Sequence, residues 1–268
     1  MAIKEKNKNQ RWHTLARVIL FYACTLIVII LAEILSESAE VNIAGQLSMF
    51  IATILSFFLV VIFTRWEKLK LNDVGIVPSK KSAPRFSIGF GIGLSIAIMQ
   101  VMITLSFGHL QLNFVPEITM TEILLILLLY IFVGCREELV FRSYSLRSLS
   151  YSLTPFLALI IITAIFVIEH LFGGMTWQNA IIGSGTGAIL FGLAALKTKG
   201  LALPLGLHVA FNFGNWAFGF KGRPGIWEVI VEKGYDTQVN NIGLAAYVFA
   251  MGLAIIGICI FYKKEKLF

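Results

Sequence analysis

The stretch ILLILLLYIFVGC, Ile123–Cys135, runs without a break into Arg136-Glu137-Glu138-Leu139-Val140-Phe141-Arg142. It reads as a membrane-buried helix that meets two adjacent carboxylates while still deep. A charged side chain at the centre of a bilayer costs at least about 2.5 kcal/mol, so such groups line a cavity, pair with one another or do chemistry. On a helix, Glu138 and Arg142 are four apart with the acid first, the better order for an intrahelical ion pair. Glu137 then points about 100° away from Glu138.

Working outward, the chain is 57% hydrophobic and 14% charged, which excludes an ordinary soluble protein. A spanning helix needs about 20 apolar residues. Segments of that kind fall near 14–35, 45–64, 86–105, 120–148, 153–172, 180–197, 201–219 and 243–262. The expected fold is an all-α polytopic bundle of about eight transmembrane helices enclosing a membrane-embedded polar cavity. With no room for a soluble domain, residues 1–268 read as one integral-membrane domain. Cys24, Cys135 and Cys259 lie in separate apolar segments, an odd set that does not form a disulfide framework.

The net charge of +7 has an uneven distribution. With a cytoplasmic N-terminus, Lys4, Lys6, Lys8, Arg11 and Arg17 fall inside, with Arg65, Lys68, Lys70, Lys80, Lys81 and Arg85. Arg136, Arg142, Arg147, Lys197, Lys199, Lys263, Lys264 and Lys266 lie on or near the same side, leaving only Lys221, Arg223 and Lys233 outside. This is the positive-inside pattern, and it expects both termini in the cytoplasm of a multi-pass cell-membrane protein. The basic charge orients the chain in a lipid bilayer and needs no nucleic-acid partner. The first segment is long and lacks a small-residue cleavage site, so it reads as an uncleaved helix.

In the inner connection from Arg65 to Arg85, the amphipathic start Trp66 to Leu71 is expected on the membrane surface. In the outer connection from Lys221 to Asn241, the apolar patch Ile226 to Val231 reads as a packed loop, an interfacial helix or a short lid. Gly89, Gly91 and Gly93, and Gly183, Gly185, Gly187 and Gly192, are expected to let helices approach closely.

Other polar groups interrupt the apolar helices. Phe166 and His170 share a helical face, as do His208 and Asn212. The turn near Tyr151 to Pro155 separates Glu137 from His170 by similar lengths of helix. Each lies roughly 25 Å from that turn at about 1.5 Å per residue, hence at similar depth. His208 joins that layer if the turn at Lys199-Gly200 is set deeper than the others. The groups are expected to converge in an inward-facing, water-filled cavity. Taken singly, His208, Asn212 and Asn215 read as interhelical hydrogen-bonding groups, and His13 and His109 as interfacial residues without a role.

Glu137-Glu138-x-x-x-Arg142, then Phe166-x-x-x-His170, then His208-x-x-x-Asn212, each on a spanning helix and in this order, resemble the CAAX protease and bacteriocin-processing (Abi) family of intramembrane glutamic proteases. The resemblance covers a core at about 120–219. Lys197-Thr198-Lys199-Gly200-Leu201 is similar to the family's approach to its last motif. The run Leu71 to Ile76 is a weaker likeness. Ser143 stands where a glycine commonly follows the arginine. Glu169 is an extra acid beside His170, placed either to pair with the histidine or to face a polar neighbour.

The resemblance implies an endopeptidase that hydrolyses a peptide bond with a glutamate-activated water and no cofactor. Glu137 is then the expected general base, and His170 holds the same water and passes a proton to the leaving amine. His208 and Asn212 are expected to donate to the developing oxyanion. Glu138 and Arg142 fit a supporting pair that holds the helix. The expected partner is a peptide or membrane-anchored protein substrate, a leader peptide or anchored regulator more than a prenylated protein.

Other readings use the same atoms. Two histidines and a glutamate can hold zinc with a fourth position for water, although no His-Glu-x-x-His helix is present. A non-catalytic scaffold or bacteriocin-immunity protein would use the buried charges only for packing, and a transporter would use Glu137 and Glu169 as proton carriers. Exchange of Glu137 for glutamine separates these: a protease loses turnover, and a scaffold keeps its phenotype.

Overall fold

The computed structural model describes residues 8–264, so Lys4, Lys6 and Lys266 lie outside the described residues. Each apolar segment becomes a helical leg. The order is α1 (Lys8–Ser36), α2 (Val41–Trp66), α3 (Ser82–Phe107), β1 (Leu110–Phe114), α4 (Met120–Glu137), a π-helical stretch (Glu138–Ser145) and α5 (Leu146–Ser152). It continues with α6 (Pro155–Phe172), a π-helical turn (Asn179–Ser184), α7 (Gly185–Thr198), α8 (Ala202–Ala217), β2 (Trp227–Val231) and α9 (Asp236–Phe261). Among the described residues, six helices are long and apolar enough to cross a membrane. The chain is thus an all-α polytopic membrane bundle with little sheet.

Local chemistry sets the boundaries. Thr119 accepts from the Glu122 amide at 3.2 Å, and the Glu122 carboxylate accepts from the Thr119 amide at 2.8 Å, a reciprocal cap that starts α4. Thr154 caps α6, with Pro155 in its first turn. The turn expected between Tyr151 and Pro155 is therefore the Leu153-Thr154 connection. Arg85 donates to the Thr198 carbonyl at 2.8 Å and satisfies the end of α7.

Two apolar cores flank the centre. Val18, Phe21, Phe63, Phe141, Tyr144, Leu149 and Phe166 belong to one, which joins α1, α2 and α6 to the π-helical stretch and α5. Ile96, Leu190, Phe191, Leu207, Tyr247 and Met251 belong to the other, built from α3, α7, α8 and α9. On α3, Gly89 and Gly93 meet α8 backbone to backbone: a Cβ on Gly89 would stand 2.2 Å from the Leu203 carbonyl oxygen. Gly206 answers from α8, where a Cβ would stand 2.2 Å from the Phe86 oxygen. Gly91, expected to share this role, faces open space. Gly206→Ala must push the two helices apart, and overpacking of this kind costs about 1–3 kcal/mol. A lowered melting temperature in detergent is the expected result; an unchanged one would show that α3 and α8 can separate freely.

Helix α2 stops at Trp66, and residues 67–75 form turns, with Lys68 at φ 58°. Leu69 packs against the first core. The structure departs from the sequence reading in two places. The patch Ile226 to Val231 is neither helix nor irregular loop but mostly strand: β2 pairs antiparallel with β1, Leu110 opposite Val231 and Phe114 opposite Trp227. Its β-branched run Val229-Ile230-Val231 suits a pleated surface better than a helix. Finally, the fourth leg is not regular, because Glu138–Ser145 winds with the wider π spacing. The Ser143 hydroxyl donates to the Leu139 carbonyl within this stretch.

Candidate active site

The carboxylate pair sits where α4 passes into the π-helical stretch. Glu138 is buried, and one of its oxygens lies 3.6 Å from the Arg142 guanidinium, the ion pair that the four-residue spacing predicts. The same oxygen is 3.0 Å from Nδ1 of His208 on α8. A carboxylate only accepts, so Nδ1 carries the proton of that bond and Glu138 fixes the ring. The other ring nitrogen, Nε2, lies 3.6 Å from Oε2 of Glu137. With Nδ1 engaged, His208 donates from Nε2 only as the imidazolium. Oε2 of Glu137 has no hydrogen-bond partner among the described residues.

Aromatic rings bind these groups into one layer. The Arg142 guanidinium lies 4.4 Å from the centre of Phe166 and 5.5 Å from those of Phe141 and Phe191. Cations are attracted to ring faces, more strongly where water is absent. Phe166 also packs 4.3 Å from the His170 ring, and Phe191 stacks on His208 at 4.8 Å. The phenylalanine of Phe166-x-x-x-His170 therefore touches both the buried arginine and the histidine. His170 donates from Nδ1 to the Phe166 carbonyl at 2.9 Å, which leaves Nε2 unengaged.

Below His208, the turn that ends α7 packs against the inner connection. A Cβ on Gly75 would come within 3.2 Å of the Gly200 backbone, so the 67–76 turns lie directly against Lys199-Gly200. Lys199 takes a left-handed conformation, φ 54°, to end α7 there.

Glu137, His170, His208 and Asn212 line a single cavity of about 570 Å³. Between His170 and Glu137 there is no hydrogen bond or ion pair among the described residues; they share a wall. Val229, Val231, Asp236 and Asn240 close the cavity from the strand side. Val229 and Val231 belong to β2, and Asp236 and Asn240 to the first turns of α9.

Glu169 does not pair with His170. It accepts from Arg136 at 2.6 Å and from the Tyr22 hydroxyl at 2.7 Å, tying α6 to α4 and α1. Arg136, read from sequence as lying near the inner side, is buried here. His109, expected to lack a role, pairs with Glu232 at 2.9 Å and stacks on Tyr235 outside the site. Asn215 donates to the Phe211 carbonyl within its own helix and not across helices. All three cysteines are free. Among the described residues, no group of three His, Cys, Asp or Glu is arranged to hold a metal ion.

Sequence reasoning missed Lys221, which it left in the outer connection. Its ammonium donates to Oδ1 of Asn212 at 2.8 Å and lies 5.9 Å from the Tyr130 ring. The side chain is reachable by water, as a cavity wall is, yet ringed by protein. This crowding lowers the ammonium pKa, Glu137 opposes the shift and Arg223 adds to it. Gly219 and Gly222 flank it with φ of 79° and 69°, and this pair of glycines around a lysine just past α8 was the available signal.

These features define a multi-pass helical membrane protein with a buried chamber walled by carboxylate, imidazole and amide groups. Residues 119–214 match the family described as type II CAAX prenyl endopeptidase Rce1-like, which bears out the resemblance of the three motifs. By its description, the matched family is one of prenyl endopeptidases. No curated protein matches the chain.

Proposed function

We propose that the protein is an intramembrane endopeptidase in which Glu137 activates water against a peptide carbonyl. One observation carries this reading: Glu137, whose Oε2 accepts no hydrogen bond among the described residues, shares a single cavity with His170, His208 and Asn212. Glu137 takes a proton from water as the oxygen attacks the carbonyl carbon. The carbonyl electrons move onto oxygen, where Nδ2 of Asn212 and Nε2–H of the His208 imidazolium donate to the charge. His170 orients the water through Nε2, which carries no proton while Nδ1 donates to the Phe166 carbonyl; it receives the proton that Glu137 took and delivers it to the amide nitrogen. The C–N bond then breaks, leaving a carboxylate on one fragment and an amine on the other. Residues 1–268 act in this as one unit, without a metal.

The substrate is a membrane-anchored protein or leader peptide whose cleavage site enters the cavity. Comparative membrane proteomics of wild-type cells against Glu137→Gln cells tests the reading. A precursor should accumulate in the variant alone; identical membrane proteomes would refute it. Both termini are proposed to be cytoplasmic, a reading that the distribution of basic residues supports. A C-terminal reporter that is active only in the cytoplasm should give signal, and silence of that reporter would reverse the orientation.

A further inference from the structure

Among the residues lining the cavity, Lys221 is the only lysine or arginine. It lies beyond the matched segment, which ends at residue 214. Arg223 of the same loop lies beside the Tyr130 hydroxyl on α4. The Lys221 ammonium lies over Asn212 on α8, 2.8 Å from Oδ1.

Amide oxygen and nitrogen are easily interchanged in a structure, but this contact fixes which is which. An ammonium has three donors and no acceptor, so the atom facing it must be the oxygen. Among the described residues the Asn212 side chain is hydrogen-bonded through Oδ1 and not through Nδ2, and Asn212 lines the cavity. A donor aimed at developing charge works best when it is already oriented and needs no reorganisation. A cation on the amide oxygen also draws electron density from the nitrogen and strengthens its N–H groups as donors.

We propose that Lys221 is a positioning residue for the hydrolysis: its ammonium locks the Asn212 amide with both N–H bonds free to meet the oxyanion. This rests on the peptidase reading above. Lys221 acts through Asn212, and it touches neither the water nor the scissile bond. The lock raises transition-state donation without adding a substrate contact, so kcat should carry the effect and KM should not.

The test uses the full chain in lipid nanodiscs with mixed-sequence, internally quenched peptides as the probe. Lys221→Met should lower kcat about ten- to a hundredfold, the range of one charge-assisted hydrogen bond, with KM nearly unchanged. Lys221→Gln, whose amide can still donate to Oδ1, should retain more of kcat than the methionine variant. In an Asn212→Ala background, Lys221→Met should cause no further loss. Additive losses would overturn the proposal, because Lys221 would then act without Asn212; so would a change confined to KM, or full activity of Lys221→Met. Should Lys221→Met not fold, the glutamine variant and its own cycle with Asn212→Ala decide by the same criteria. Glu137→Gln is measured alongside: if it cleaves like wild type, the peptidase reading itself fails and takes the role of Lys221 with it. If Glu137→Gln is inactive and the Lys221 cycle is additive, only the positioning role fails.

Discussion

Glu137→Gln is expected to lower kcat about 10²- to 10⁴-fold, the usual worth of a positioned general base. The exchange keeps the shape of the side chain and removes its ability to take a proton. Structure should change little, because Oε2 of Glu137 accepts no hydrogen bond among the described residues and its nearest ionic neighbour, His208, lies 3.6 Å away. Purified variant and wild type should therefore melt at nearly the same temperature in detergent while their turnover differs by orders of magnitude. Steady-state kinetics on a cleaved peptide, run beside a thermal melt, checks both halves. A loss below tenfold in a folded variant would mean that the base is another group, with Glu169 already committed to Arg136 and Tyr22.

The second large effect falls on stability. Glu138→Leu removes the one carboxylate among the described residues within ion-pair distance of Arg142, a side chain with no exposed surface. Breaking a buried pair from one side costs about 3–5 kcal/mol, because the remaining charge is left without compensation. The three rings around the guanidinium offset part of this, since cation–π contacts contribute up to about 2 kcal/mol when desolvated. They cannot replace the bond from Glu138 to His208, so that ring also loses its anchor. Removing both charges is different: an apolar pair in place of a buried ion pair is often neutral or better. Chemical denaturation should thus find the Glu138→Leu, Arg142→Met double variant more stable than Glu138→Leu alone. Equal stability of the two would show that Arg142 reaches water or an unseen partner.

The contrast between these outcomes follows from features that the sequence makes legible. Four-residue spacing brought Glu138 to Arg142 and put His208 and Asn212 on one face, and equal helix lengths on either side of Leu153-Thr154 brought Glu137 and His170 to one layer. Those relations are local or nearly so, and a helix converts spacing directly into direction. What stayed hidden is long-range or lies outside regular helix. The bond from Glu138 to His208 joins separate helices with no common period. The π-helical stretch changes the hydrogen-bond register without changing any residue pattern. The pairing of β1 with β2 links connections on opposite sides of α4 to α8, and each alone is too short to announce a partner. Lys221 sits in a glycine-flanked turn, where side-chain direction depends on backbone angles that charge counting does not see.

Tyr22 reaches from the first helix to the carboxylate beside His170, although it stands far outside the matched segment. Lys221, Val229, Asp236 and Tyr247 wall the cavity from the other end of the chain. The recognisable motifs therefore supply reagents, and the rest of the chain supplies the vessel. A graft of residues 119–214 into another membrane bundle would carry the acids and imidazoles but not the hydroxyl that steadies one helix or the ammonium that faces another. In such a chimera the reacting groups would be present and the enclosure missing.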